Sequence, residues 1–475
     1  MGILTQEKIE LLNEASLKVL EETGYIIKNE EALEIFKKAG ATVDQKKELV
    51  RIPRELVLNA IKTSPSKLTF YGKIDSEIKL GEKNKTYFMN GYGSVNYFDW
   101  KTKKRRPNTK KDLENYVKII DKMENCSIYY NEVTPQDIPT EVIDIHNAQV
   151  VLEYTEKPCF LEAWSIEGLK TIIEMIKIIS GKDWVKKPVF GIQLCTISPL
   201  IIDAPSGKRM LEIARHGIPL VFGSLPQSGA TAPATLAGTL VLLNAESLGG
   251  LTLTQLINPG TPFVFNNYAA AMDQQYGVFA SGGPEMSLMQ AAMTQMIQHY
   301  GMLQAGTSGG TESNSIDIQA GIEKSISTLY TALNGVELIH GAISGWVQSL
   351  LSHCPAMAII SNEMCDLVIR LLKGIDVTED TLAVDIIKEV GPAGNFLTHP
   401  STLKYFKSEN WIPHLMRRIN VKTWEDIGKR EILDFAQEKV DEILSEKPVS
   451  YISDSAKEEI SALIKKTESR IRNNT

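Results

Sequence analysis

Cysteine is scarce in this chain. The five cysteines stand singly, at no CxxC or other metal-ligand spacing, so neither a disulfide framework nor a zinc site is expected. That usage suits a reducing, cytoplasmic setting. Excess positive charge is missing as well. A net charge of −7 leaves no basic field to attract nucleic acid. The one basic run, KTKKRRPNTKK from Lys101 to Lys111, reads as a solvated turn, with docking of an acidic partner as the alternative. An uninterrupted apolar run is also absent. The longest candidate, TLAGTLVLLNAESLGGLTLTQLI, is broken by Asn244 and Glu246, so no membrane span is expected. The opening MGILTQEKIELLNEASLKVLEE is an amphipathic, acid-bearing helix rather than a signal peptide.

What is present is a rhythm. Residues 1–85 read as a helical extension, with helices near 6–22, 29–39 and 53–63. From Thr86 onward, short β-branched or aromatic runs end in Gly, Asn, Ser or Thr, and a helical stretch follows each. Eight runs are found: TYFMNGYG, CSIYYNEVTP, PCFLEAW, PVFGIQLCTIS, PLVFGSLPQ, PFVFNNYAAAM, MLQAGTSGG and VELIHGAISGW. Strict alternation of strand and helix implies a parallel sheet with right-handed crossovers. Eight units predict a (β/α)8 TIM barrel over 86–373. The rival, an open doubly wound sheet, wants a glycine fingerprint after its first strand. The nearest candidate, GYGSVN, lacks the third glycine. Residues 374–475 read as a second, C-terminal helical extension.

In such barrels chemistry sits where strands end. The predicted strand ends are rich in aromatics and neutral amides, and hold no Lys or Arg, which disfavours a phosphate clamp. Tyr97, Glu162, Trp164, Gln193, Asn266, Tyr268, Gln304, Thr307 and Trp346 are the candidate substrate-binding residues. Glu312 and His340 are the candidate catalytic ones. Rings around a carboxylate form a recipe for a quaternary ammonium ion, each ring contributing about 0.5–2 kcal/mol when water is excluded. For any one Tyr or Trp the plainer reading is core packing. The loop GTSGGTESNS, Gly306 to Ser315, looks like a phosphate cradle but carries no Lys. Its glycines read instead as room for close backbone approach.

Other constellations fail. DIHNAQ, Asp144 to Gln149, resembles the start of a cobalamin-holding D-x-H-x-x-G signature, yet Gln149 replaces the glycine. His146 therefore reads as an ordinary helix residue. His353 and Cys354 have no partners at zinc spacing, and no metal site is expected. No G-x-S-x-G elbow lies in a strand context.

Three stretches carry a resemblance: Ala245 to Phe265, Ala280 to Met296 and Gly306 to Gly341. They resemble the trimethylamine:corrinoid methyltransferase family. The resemblance implies a TIM barrel that moves a methyl group from an amine to Co(I) of a separate corrinoid protein, with no cofactor bound in the chain itself. It also implies a departure. In the trimethylamine enzymes the loop matching Gly310 to Asp317 carries pyrrolysine, whereas GTESNSID holds only standard residues. The chain thus looks like the non-pyrrolysine branch, whose substrates are quaternary amines of the glycine betaine, proline betaine and carnitine type. A cognate corrinoid protein, a small quaternary amine and a second copy of the chain are the expected partners. A non-catalytic betaine-binding barrel and a methyltransferase for tertiary methylamines are the alternatives.

Overall fold

All eight apolar runs form strands, and each strand pairs with its neighbours in parallel. They are β1 (Tyr87–Met89), β2 (Cys126–Tyr130), β3 (Cys159–Glu162), β4 (Phe190–Cys195), β5 (Leu220–Ser224), β6 (Phe263–Asn267), β7 (Leu303–Thr307) and β8 (Leu338–His340). They follow chain order around a closed barrel, with β8 beside β1. The structure is a computed structural model that describes residues 2–82 and 85–474. Residues 83 and 84, within the expected N-terminal extension, lie outside it. The following helices are α1 (Lys110–Asp121), α2 (Ile143–Tyr154), α3 (Ile166–Ser180), α4 (Ala204–Arg215), α5 (Leu236–Ile257), α6 (Pro284–Tyr300), α7 (Ile318–Leu333) and α8 (Pro355–Leu372). Local chemistry sets their ends. Thr109 and Asp112 close a reciprocal capping box on α1, which satisfies two otherwise orphaned amides. By length and composition α5 could cross a membrane, yet 78% of its most apolar window is buried inside the protein.

Strand parity divides the core in two. Met89, Ile128, Phe160, Val221, Val264, Leu303, Ala305 and Leu338 pack on one another inside the barrel. Their neighbours Tyr129, Leu161, Phe222, Phe265 and Ile339 pack outward in the larger core with the helices. Both faces of every strand are buried, which is why the runs read as continuously apolar rather than alternating.

The N-terminal region differs from the helical expectation. Its three helices form at Gln6–Lys18, Glu30–Lys38 and Arg54–Thr63. Between them, strands Tyr25–Ile27, Thr42–Asp44 and Leu49–Arg51 join Ile201–Ile202 in a four-stranded sheet. A hairpin, Leu68–Tyr71 with Glu77–Leu80, follows. Its Leu68, Phe70, Ile78 and Leu80 join the barrel's inner core. The barrel needs a cap because its apolar interior would otherwise meet water. The basic run forms part of a hairpin in which Asn96–Asp99 pairs with the exposed Lys104–Pro107.

Candidate active site

Two residues beyond the inner apolar layer, strand alternation places polar side chains at the carboxyl end of the barrel. Glu162 follows Phe160, Asn266 follows Val264, Thr307 follows Ala305 and His340 follows Leu338. Around them stands a box of rings. His340 lies 5.5 Å from Tyr92, 5.2 Å from Tyr130, 5.3 Å from Tyr268 and 5.4 Å from Trp346, centroid to centroid. Tyr92 stacks on Tyr130 at 5.2 Å and leans on Tyr268 at 5.5 Å. Tyr130, Tyr268, Trp346 and His340 are buried. Tyr92 is half-buried, beside the exposed Gly93, so it is the ring of the box that faces the opening.

The hydrogen bonds fix proton positions. The Thr307 hydroxyl donates to the Asn267 carbonyl at 2.8 Å and sits 3.1 Å from His340 Nδ1. Having spent its one proton, it accepts from Nδ1–H. His340 Nε2 then carries a lone pair, and this atom is buried with no partner among the described residues. Burial lowers the imidazole pKa to about 3, so the ring is neutral at physiological pH. A second chain runs from Asn266 Nδ2 to the Tyr268 hydroxyl, 2.6 Å, on to Tyr130 and to Glu162 Oε1, 3.4 Å. Gln193 Oε1 accepts from Asn266 at 3.4 Å. Burial raises the Glu162 pKa, while bonds from Trp164 and Tyr130 pull the other way. Trp164 stands on the rim, 38% exposed, its indole N–H 3.5 Å from Glu162 Oε2.

The glycine loop is packed backbone to backbone. Gly309 has φ +67°, and a Cβ there would lie 2.3 Å from the Gly341 carbonyl oxygen. A Cβ on Gly91 would lie 2.4 Å from the Trp346 ring. These glycines serve close approach. The geometry is a buried, ring-lined, weakly polar end to a barrel, with one uncommitted imidazole lone pair and one carboxylate.

A family model described as "Trimethylamine methyltransferase (MTTB)" matches residues 1–471. The chain belongs to that family. Its members are corrinoid-dependent methyltransferases. "Trimethylamine methyltransferase MttB" of Desulfitobacterium hafniense (strain DSM 10664 / DCB-2) is 33% identical over 97% of this chain and 92% of that protein. "Glycine betaine methyltransferase" of Desulfitobacterium hafniense (strain Y51) is 32% identical over 89% of this chain and 88% of that one. Among solved structures, the hydroxylamine complex of MtmB aligns at a TM-score of 0.50 and 12% identity, covering 92% of both chains. At that identity the likeness speaks to the fold alone.

For this methyltransferase, three expected site residues lie away from the box. Tyr97 belongs to a small sheet beside the barrel. Its ring meets His353 edge-on at 5.5 Å and lies under Arg106 at 4.5 Å. Gln304 has the opposite parity to Thr307, so it faces the shell, where its amide donates to the Gly335 carbonyl near the barrel's amino end. Glu312 turns from the rings toward the loop after β6. Its carboxylate accepts from the Ser281 hydroxyl at 2.6 Å and the Gly282 amide at 2.9 Å. Burial and the nearby Glu323 raise its pKa against those bonds.

Three further residues of the methyltransferase carry no clear sequence signal. Tyr130 ends β2 beside an equally plausible Tyr129, and only parity separates them. The buried Lys324 and the half-buried Arg209 reach the mouth from helices α7 and α4, not from strand ends. Arg209 donates to the Ala163 carbonyl and, at 2.9 Å, to Ser206. His146 is the ordinary helix residue expected, 2.9 Å from Glu468.

Proposed function

We propose that this methyltransferase takes its methyl group from a quaternary amine of the betaine type and passes it to Co(I) of a corrinoid carried by a separate protein. The observation that carries this reading is the box of Tyr92, Tyr130, Tyr268 and Trp346 around a neutral His340. Ring faces attract a desolvated cation. Among the described residues, no ammonium or guanidinium belongs to the box to repel one. The loop Gly310 to Asp317 supports the same reading, because it holds only standard residues. A quaternary nitrogen leaves as a neutral tertiary amine. The C–N electron pair stays on nitrogen as the Co–C bond forms, so no general acid is required. Cobalt and cation cancel charge along the path, and a dry pocket favours that cancellation. The chain's own task is to hold one N-methyl toward the opening at Tyr92. Arg209, bonded to the Ala163 carbonyl at the rim, supplies a cation for a substrate carboxylate. A cytoplasmic setting and assembly with further copies of the chain complete the reading.

The test is a transfer assay with cob(I)alamin and a panel of methylamines, following cobalt methylation by absorbance. Turnover of at least one quaternary amine well above trimethylamine is expected. Equal turnover of trimethylamine would shift the reading to a tertiary-amine enzyme. Tight binding without transfer to either free or protein-bound cobalt would leave a binding barrel.

A further inference from the structure

Two buried charges at the mouth take no part in the ring box. Glu132 follows β2 and is fully buried. One carboxylate oxygen accepts the Gly91 amide at 2.8 Å, and the other accepts the Gly345 amide at 2.8 Å. Each amide immediately precedes a ring of the box, Tyr92 in one case and Trp346 in the other. The Tyr116 hydroxyl donates to the same carboxylate and accepts from Gly345 at 3.1 Å. The two rings are tied to each other as well, Trp346 Nε1 donating to the Tyr92 carbonyl at 3.1 Å. Lys324, fully buried on α7, donates to the Gly309 carbonyl at 2.6 Å and the Ser344 hydroxyl at 2.9 Å. Ser344 adjoins Gly345, so the ammonium clamps the glycine loop against the same turn that the carboxylate holds.

Two buried opposite charges are a poor way to gain stability, since apolar replacements of like volume often do as well. What such a pair supplies is geometry. We infer that Glu132 and Lys324 are positioning residues for methyl transfer: Glu132 sets Tyr92 and Trp346 through the amides of Gly91 and Gly345, and Lys324 sets the facing glycine loop through Gly309. The inference rests on the ring box being the substrate site.

Below neutral pH, with Lys324 already protonated, the carboxylate is the group of this cluster that takes up a proton. Tyr116, Tyr129, Cys126 and Lys324 face it, and Cys365 faces Lys324. Burial pushes the tyrosines and thiols up, so they stay neutral. Burial also raises Glu132 and lowers Lys324, while each charge favours the other. As pH falls, Glu132 takes a proton and can no longer accept from both amides. The rings then lose their register.

The experiment uses the full chain, glycine betaine as donor, cob(I)alamin as acceptor, and calorimetry with tetramethylammonium ion. Glu132→Gln is expected to lower kcat by about 10²-fold, the penalty of an ångström-scale misplacement, with a smaller change in KM. It should also erase the acid limb of the wild-type kcat profile. Lys324→Met removes the buried charge that favours ionised Glu132 and risks misfolding, so Glu132→Gln/Lys324→Met is made beside it. The double variant should fold, with kcat no lower than that of Glu132→Gln, as expected of two residues acting as a unit. Tyr116→Phe should shift the acid limb without removing it. Unchanged kcat and an unchanged acid limb in Glu132→Gln would overturn the inference while leaving the functional reading intact. A wild type that binds no tetramethylammonium and methylates no cobalt from any donor would overturn both.

Discussion

His353 shows how one buried imidazole couples fold to pH. Its Nδ1 donates to the Asn96 carbonyl at 3.2 Å, and its ring lies between Tyr97 and Tyr116. Burial lowers its pKa from 6.5 to about 4. The neutral form is thus favoured in the fold, whereas the unfolded chain binds a proton from pH 6.5 downward. Stability contributed by this group is present above pH 6.5 and is lost as pH falls toward 4. His353→Gln is expected to flatten that part of the profile, measured by urea unfolding at a series of pH values. Equal slopes in wild type and variant across pH 6.5 to 4 would contradict the assignment. The ring box predicts a second effect at this scale. Tyr92→Leu should weaken tetramethylammonium binding by about 0.5–2 kcal/mol, while Tyr97→Leu, outside the box, should leave affinity unchanged in calorimetry. Much of the box is legible in sequence: Tyr268, His340, Thr307, Asn266 and Trp346 are all found by reading strand ends. Gln304 shows the limit. It and Thr307 sit three apart on one strand, and a period of two cannot point both inward. Nothing in a run buried on both faces says which parity is inside.

At the scale of elements, the glycine loop and the helix behind it set opposite expectations for the same substitution. Gly309→Ala meets the Gly341 carbonyl at 2.3 Å and keeps a φ of +67°, so it should destabilise by about 1–3 kcal/mol. Gly321 lies in α7 with nothing within 4 Å of its would-be Cβ. Gly321→Ala should stabilise by about 0.5–1 kcal/mol through helix propensity. Thermal or chemical unfolding of the two variants checks both signs, and a stabilised Gly309→Ala would refute the close-approach account. The eight barrel strands and their helices are legible because each apolar run is followed by a helical stretch and the unit recurs eight times. The strands at Tyr25–Ile27, Thr42–Asp44 and Leu49–Arg51 are not, since no such repeat frames them. Their pairing is long-range: Ile26 sits beside Ile201, a contact that no local pattern records. Lys324 is illegible for a related reason: it enters the mouth from the second turn of α7, not from a strand end.

At the scale of the molecule, the segment 375–427 stands apart from the rest of the chain, whereas the later helix Ile432–Ser445 buries Ala436, Val440 and Ile443. Helices Glu379–Leu382, Val384–Val390, Pro400–Glu409 and Val421–Asp426 contain no buried residue. Ile375 is 83% exposed, Leu403 85% and Val421 72%. On α7, Ile318, Ile322 and Ile326 form a further exposed stripe at helical spacing. Monomers rarely leave large apolar surfaces in water. The segment is rooted at the carboxyl end of α8, beside a hollow that also holds Met302, Gly335 and Glu337 near the amino ends of β7 and β8. That end of the barrel is opposite the ring box, so a corrinoid protein presenting cobalt to the box has no need of it. Permanent apolar interfaces suit a second copy of the chain. A homo-oligomer is therefore expected by sedimentation at micromolar concentration. Leu403→Asp/Val421→Asp should reduce the assembled mass while the far-ultraviolet spectrum stays that of a folded barrel. If wild type sediments as a monomer at every concentration, or if the double variant assembles as wild type does, these residues do not form the interface.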